Sequence, residues 1–181
     1  STMCHPDGEI SFFNDAALGV TPSVAEIRAY GERLGFYPND DGQSDENFVD
    51  LPHSGYSRVE VENAVAIVDR AAVGPDYLPG HAHADTLSFE LSLFGQRVIV
   101  NSGTSVYGSG EQRQIERSTA NHSTVHIDGE NSSEVWGGFR VARRACVHER
   151  VHSVSEQQIR LSACHDGYQR LNGKPYHCRE W

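Results

Sequence analysis

The sequence predicts a mainly β protein, an antiparallel β-sandwich with a short N-terminal helical lead-in. Several short runs alternate apolar and polar residues, which is the period of a strand with one buried face. Turn-forming residues such as Gly95 and Asp128-Gly129 follow these runs. The 181 residues, 38% of them hydrophobic, suffice for one sizeable core, and no apolar run is long enough to cross a membrane.

Residues 1–37 are expected to form a helical segment. Thr21 can cap a helix, Pro22 suits its first turn and Gly35 can end it. Residues 38–55 are rich in Asp, Asn, Gly, Ser and Pro, so they are expected to form a linker. Residues 56–181 then form the sandwich domain, which we expect to be truncated because Trp181 falls inside a strand-like pattern.

The strands of that domain are predicted from the alternating residues. They are expected at residues 59–61, 65–67, 87–93, 98–100, 125–127, 139–152 and 157–165. Leu87, Phe89, Leu91 and Leu93 are expected to form the core face of their strand.

Charge and cysteine content exclude some functions. The formal net charge of −10 makes nucleic-acid binding unexpected, because such binding relies on Lys and Arg side chains that neutralise phosphates. Four cysteines without a C-x-x-C pair do not indicate a zinc knuckle or a redox motif. Buried thiols are the expected state, although Cys146 and Cys164 lie in consecutive predicted strands and can pair in an oxidising compartment.

The stretch His81-x-His83 precedes the strand at residues 87–93. If the strand register extends backwards, His81, His83 and Asp85 share one face, and an H-x-H pair can supply two zinc ligands. A third ligand must come from elsewhere; His122 is the first candidate and His126 the competing one. Histidines that hydrogen-bond loop carbonyls are the alternative interpretation.

Two longer stretches carry a family resemblance. The stretches "PGHAHADTLSFELSLFGQRVIVNSGTSVYG" and "RSTANHSTVHIDG" resemble the C-terminal β-sandwich of the heparinase II/III family of polysaccharide lyases over residues 78–145. Near the N-terminus, "HPDGEISFFNDAALG" resembles the end of the helical toroid that precedes this sandwich. The resemblance implies that residues 1–37 are the tail of an α/α toroid domain.

The resemblance also implies roles for individual residues. His81 is placed at the catalytic cleft, and His83, Asn101 and His122 are placed at a zinc site. Asn101 stands where the family has an aspartate, and a neutral amide oxygen is a weaker zinc ligand than a carboxylate. The site therefore binds zinc weakly, recruits Asp85 or water, or is a metal-free hydrogen-bond network.

The implied activity is β-elimination in an acidic polysaccharide that contains uronic acid. Such a reaction needs a base for the C5 proton, a proton for the leaving oxygen and neutralisation of the uronate carboxylate. His81 is the expected donor in this domain, Arg113 and Arg117 are candidate carboxylate-binding residues, and Tyr107 is a candidate acid or sugar-stacking residue. The family's toroid supplies most of the base and acid.

Two other functions remain open at this point. A non-catalytic carbohydrate-binding or structural sandwich needs only the fold and the histidine cluster. A metal-dependent hydrolase is disfavoured because no carboxylate pair or H-E-x-x-H motif is placed to activate a metal-bound water. Local positive charge for an acidic polymer is found in Arg140, Arg143 and Arg144, although alternate strand residues point to opposite faces.

Overall fold

The computed structural model describes residues 2–36 and 47–181, in which two antiparallel sheets and a small hairpin form the fold. The strands are β1 (Phe48–Leu51), β2 (Tyr56–Val61), β3 (Ala64–Asp69), β4 (Phe89–Leu93), β5 (Gln96–Ile99), β6 (Val135–Trp136), β7 (Arg140–Val141), β8 (Val147–Val154), β9 (Ile159–His165) and β10 (His177–Glu180). The first sheet has the order β1-β2-β3-β4-β5, the second has the order β10-β9-β8, and β6 pairs with β7. The predicted fold class is confirmed.

Side chains from both sheets meet between the layers. The Phe48 and His152 rings lie 4.9 Å apart, which joins β1 to β8. The guanidinium of Arg179 in β10 lies 4.6 Å from the ring centroid of Phe89 in β4. Ile67 and Leu161 are fully buried, one in each sheet, so the apolar alternation of β3 and β9 supplies the core between the layers.

The lead-in contains one helix, α1 (Val24–Arg33), and a second helix, α2 (Glu111–Arg117), follows the first sheet. Thr21 is not the cap of α1: Ser23 accepts a hydrogen bond from the Glu26 backbone N–H, and the Glu26 side chain accepts one from the Ser23 backbone N–H. The sequence pattern gave no indication of α2. Neither helix of the described residues has the length and apolar character that a bilayer span requires.

The expected linker at residues 38–55 is wrong over its second part. Phe48–Leu51 is strand β1, which pairs with β2 in the register Phe48↔Val59 to Leu51↔Tyr56. Residues 38–46 lie outside the described residues. The polar composition of this stretch misled the prediction because β1 is an edge strand, which requires only a half-buried face.

The expected strands next to the histidines are also wrong. Residues 79–81 form a 3-10 turn, and Leu87 has a φ of 61°, so β4 does not extend back to His81. His122 follows another 3-10 turn, and the 125–127 strand is reduced to a single bridge between Ile127 and Glu130.

The faces of β4 differ from the prediction as well. Glu90 and Ser92 are fully buried, whereas Phe89 and Leu91 are only half-buried. The N-terminal segment covers the polar face, where His5 Nε2 lies 2.8 Å from Glu90 Oε2 and Nδ1 lies 2.7 Å from Ser92 Oγ. Both faces of β4 are therefore covered, so alternation in its sequence does not separate inside from outside.

Cys164 forms a disulfide with Cys178, not with Cys146. The two residues are directly paired between β9 and β10, so their side chains share one face of the second sheet. Cys4 is buried and free, and Cys146 is exposed and free.

A buried histidine pair is expected to make the stability of the fold depend on pH. His165 Nε2 lies 2.9 Å from His177 Nδ1, and the Gly167 backbone N–H donates to His165 Nδ1, which requires a neutral His165 ring. Burial, reinforced by the nearby His177, lowers the pKa of His165 to about 4. The native state therefore binds fewer protons than the unfolded state, and stability is lost as the pH falls from about 6.5 towards 4.

We expect this effect to be on the order of 3 kcal/mol, at about 1.4 kcal/mol per pKa unit. Thermal unfolding at several pH values between 7.5 and 4 measures it, with His165→Gln flattening the dependence. An equally steep loss of stability in that variant would contradict the prediction.

Candidate functional site

Asp15 lies at the centre of a polar cluster between the lead-in and the sandwich. Its carboxylate lies 2.7 Å from His81 Nδ1 and 2.8 Å from His83 Nε2, and it accepts a hydrogen bond of 2.9 Å from Thr104 Oγ1. Both terminal nitrogens of Arg113 donate to it, Nη2 at 2.9 Å and Nη1 to the other oxygen. One carboxylate thus joins both histidines of the H-x-H stretch.

The charge of Asp15 is stabilised by these partners. Its side chain is 7% exposed, and burial alone raises the pKa of a carboxyl group. The hydrogen bonds from His83, Arg113 and His81 outweigh burial and hold the pKa of Asp15 well below its usual range. Asp15 is therefore ionised at neutral pH, with Arg113 as its fixed counter-ion.

The loop after β5 positions Asp15 through its backbone. The Thr104 N–H donates to the Ala16 carbonyl oxygen at 3.0 Å. Gly103 has a φ of 63°, and a Cβ at this position would lie 2.5 Å from the same oxygen. Only glycine allows this close approach of the loop to the lead-in.

His81 presents its ring to solvent beside two aromatic side chains. Its side chain is 59% exposed, and its Nε2 makes no hydrogen bond within residues 2–36 and 47–181. The ring centroid lies 6.1 Å from that of Tyr107 and 5.8 Å from that of Phe139, both in edge-on orientation. Because Asp15 accepts the Nδ1–H, His81 directs Nε2 outwards, where it can accept or donate a proton.

His83 and His122 form a buried pair behind His81. His83 Nδ1 lies 3.1 Å from His122 Nε2, and His122 Nδ1 donates to the Ser118 carbonyl oxygen at 2.7 Å. Burial lowers the pKa of His122, so its neutral ring turns the lone pair of Nε2 towards His83. His126, the competing candidate, is exposed and is not part of this pair.

The geometry of the pair is compatible with a shared ion. Two nitrogens that each bind zinc at about 2.0–2.1 Å in tetrahedral geometry lie about 3.3 Å apart. The outer nitrogens of His83 and His122 contact a carboxylate and a backbone carbonyl, which are the usual outer partners of zinc-bound histidines.

The Asn101 side chain contacts the backbone next to His122. Its Oδ1 accepts a hydrogen bond of 2.9 Å from the backbone N–H of Ser123, the residue after His122. The Asp85 carboxylate accepts a hydrogen bond from the backbone N–H of Asn14. Within the part of the chain that the structure describes, no three His, Cys, Asp or Glu side chains are grouped to hold a metal.

Arg113 and Arg117 are not placed for substrate binding. Both side chains are fully buried. Arg117 donates to the Ala82 carbonyl oxygen at 2.9 Å, and Arg113 is occupied by Asp15 and the Gly138 carbonyl oxygen. The sequence-based role is corrected: these guanidinium groups hold the loops that carry the site.

Residues 43–181 match the family described as "Heparinase II/III-like, C-terminal". The chain belongs to the heparinase II/III family. No curated protein sequence is significantly similar to it.

Solved structures support the same fold. The heparan sulfate lyase HepC from Pedobacter heparinus superimposes with a TM-score of 0.71 at 18% identity, over 99% of this chain and 28% of that one. A solved heparinase III gives a TM-score of 0.68 at 15% identity, over 98% of this chain and 30% of that one. The chain thus spans less than a third of the length of these structures.

Sequence reasoning missed two residues of this heparinase II/III-like site. Asp15 was part of the quoted lead-in stretch, yet it has no periodic context that marks it as functional. Phe139 was the first residue of the strand predicted at residues 139–152, and nothing marked it as functional. A polar Asn-Asp pair directly after the apolar Phe12-Phe13 was the available signal for Asp15.

Proposed function

We propose that this domain is part of a polysaccharide lyase that cleaves uronic-acid-containing glycans by β-elimination, with His81 at the cleft. The observation that carries the proposal is the exposed His81 ring, fixed by Asp15 and flanked by Tyr107 and Phe139. Family membership supports a glycan-degrading lyase. The name of the related heparan sulfate lyase makes a glycosaminoglycan the first substrate class to test.

The reaction explains why an outward-facing imidazole is useful. A base removes the C5 proton, the electron pair forms the C4–C5 double bond, the C4–O bond breaks and the leaving oxygen takes up a proton. The uronate carboxylate opposes the first step, because a second negative charge develops on it. His81 Nε2, when protonated, donates to that carboxylate, and the Asp15 carboxylate stabilises the imidazolium through Nδ1.

The domain on its own is expected to be inactive. Proton removal and leaving-group protonation require groups on both sides of the bound polymer, and the His81 site supplies one wall. The full-length protein should release unsaturated uronate, detected by its ultraviolet absorbance, from heparan sulfate, alginate or pectic polymers. The isolated domain should release none. A domain as active as its parent would contradict the two-wall arrangement, and a parent that binds polymer without cleavage would favour a non-catalytic binding function.

We also propose that His83 and His122 hold a zinc ion, with Asn101 as a weak third ligand. When bound, the ion would be a structural link between the two loops. Replacement of His83 by Ala should reduce zinc content from about one ion per chain to none and lower the melting temperature, because an ion that binds the native state stabilises it. Elemental analysis and thermal unfolding after dialysis against zinc measure both effects.

The exposed His126 offers a matched control, since His126→Ala should leave zinc content and melting temperature unchanged. Wild-type protein that retains no zinc after this treatment would overturn the proposal and leave the 3.1 Å approach of His83 Nδ1 to His122 Nε2 as a contact between the two rings without an ion.

A further inference from the structure

The β6–β7 hairpin carries an exposed tryptophan and an arginine on the same face. Trp136 and Arg140 are directly paired across the hairpin. The Arg140 guanidinium lies 5.1 Å from the Trp136 ring centroid, and the tryptophan is 53% exposed. An exposed tryptophan with a stacked cation is a surface that can bind a ligand with both an apolar face and a negative charge.

Side chains of helix α2 hold the loop of the hairpin in place through hydrogen bonds. Gln114 donates to the Gly137 carbonyl oxygen, as does Arg117 at 3.3 Å, and Arg113 donates to the Gly138 carbonyl oxygen at 3.0 Å. A Cβ at Gly138 would collide with the Gly108 carbonyl oxygen, so the hairpin loop also packs tightly against the loop that carries Tyr107.

The opposite face of the hairpin is anchored in the domain. Val141, next to Arg140, packs against the buried residues Val73, Ala82 and Ala145. The hairpin thus presents a preformed surface, which reduces the entropy that a ligand must overcome on binding.

The loop of the hairpin reaches the proposed catalytic histidine. Phe139, in the loop of the hairpin, lies 5.4 Å from the Tyr107 ring and 5.8 Å from the His81 ring. Phe139 and Tyr107 are 46% and 59% exposed. The buried Arg113 guanidinium lies within 5.4 Å of both aromatic rings while it binds Asp15, so the same side chain supports the aromatic surface and the histidine.

We propose that Tyr107, Trp136, Phe139 and Arg140 form an aromatic ledge that binds an acidic oligosaccharide and guides it to His81. The C–H faces of pyranose rings pack on the aromatic side chains, and Arg140 pairs with a carboxylate or sulfate group of the sugar. The ledge supplies local positive charge in a chain whose net charge is −10. The proposal adds a substrate-binding surface to the proposed lyase function. It rests on that function, because the bound oligosaccharide is taken to lead from the ledge to His81.

Calorimetric binding to the full-length protein tests the ledge. The probes are a heparan sulfate tetrasaccharide, an unsulfated glucuronate–N-acetylglucosamine tetrasaccharide and neutral cellotetraose. All binding is measured in a His81→Ala background, in which turnover is expected to be slow. Trp136→Ala and Phe139→Ala should each weaken binding of both acidic probes by roughly tenfold or more, and Arg140→Ala should do the same. A loss on both acidic probes assigns the Arg140 contact to the carboxylate, and a loss on the sulfated probe alone assigns it to the sulfate.

Tyr176→Ala and Arg160→Ala are matched controls, because both side chains are similarly exposed and lie outside the ledge. Binding by the three ledge variants within twofold of the background protein overturns the proposal, as does equal weakening in the controls. If another domain covered the ledge, Trp136→Ala would lower the melting temperature and leave sugar binding unchanged. That result also overturns the proposal. Tight, ledge-dependent binding in this background, together with a wild-type protein that forms no unsaturated product, would contradict the lyase function while leaving the ledge in place.

Discussion

Replacement of His81 by Ala is expected to lower the kcat of the full-length protein on a uronate polymer by roughly 10²-fold or more. The structure gives the physical reason: the ring is 59% exposed, its Nδ1 is held 2.7 Å from the Asp15 carboxylate, and Nε2 faces outwards. A group that transfers a proton or stabilises the enolate-like transition state affects turnover more than ground-state binding. Initial rates from the absorbance of unsaturated uronate, measured over a range of substrate concentrations, separate kcat from KM.

Exposed histidines elsewhere provide the control for this prediction. His126→Ala should retain the kcat of the wild type, because His126 lies outside the Asp15 cluster. If His81→Ala turned over as fast as the wild type, His81 would be removed from the mechanism, and family membership would be unaffected.

Replacement of Arg113 by Ala is expected to destabilise the protein by about 3–5 kcal/mol, the usual cost of removing one partner from a buried ion pair. Arg113 is fully buried and donates to both oxygens of Asp15, whose side chain is 7% exposed. Its loss leaves a buried carboxylate without its fixed counter-ion and also removes the donor to Gly138. Chemical denaturation followed by circular dichroism measures the change.

A double-mutant cycle identifies the cause of this loss. Asp15→Asn in the Arg113→Ala background should recover part of the stability, because it removes the unpaired charge. Additive losses in the double variant would show that Arg113 acts through packing alone and that the ion pair contributes nothing.

The sequence predicted the fold class because β3 and β9 alternate in the way that a half-buried strand requires. It failed where both faces of a strand are covered: Glu90 and Ser92 in β4 are buried because His5, more than 80 positions earlier, contacts both. Such a long-range polar contact leaves no periodic signal in either segment. The edge strand β1 was missed because its residues are only half-buried, so its sequence has no strong apolar alternation.

The candidate site was predicted in part, and for an incorrect structural reason. His81 and His83 do come together, yet not through strand parity, because residues 79–81 form a 3-10 turn. A carboxylate from the lead-in, Asp15, unites them. Arg113 and Arg117 were assigned to the substrate from charge alone, whereas the structure buries them as supports. Residue type indicated the chemistry of this region, but the three-dimensional contacts were needed to assign the role of each residue.

The central claim is that the intact protein cleaves a uronate polymer by elimination with His81 at the site. Mass spectrometry of oligosaccharide products tests it most directly. We predict new non-reducing ends that are one water lighter than hydrolysis products, with ultraviolet absorbance that disappears in His81→Ala. Products that carry the added water and no absorbance, or unsaturated products formed equally well by His81→Ala, would contradict the account.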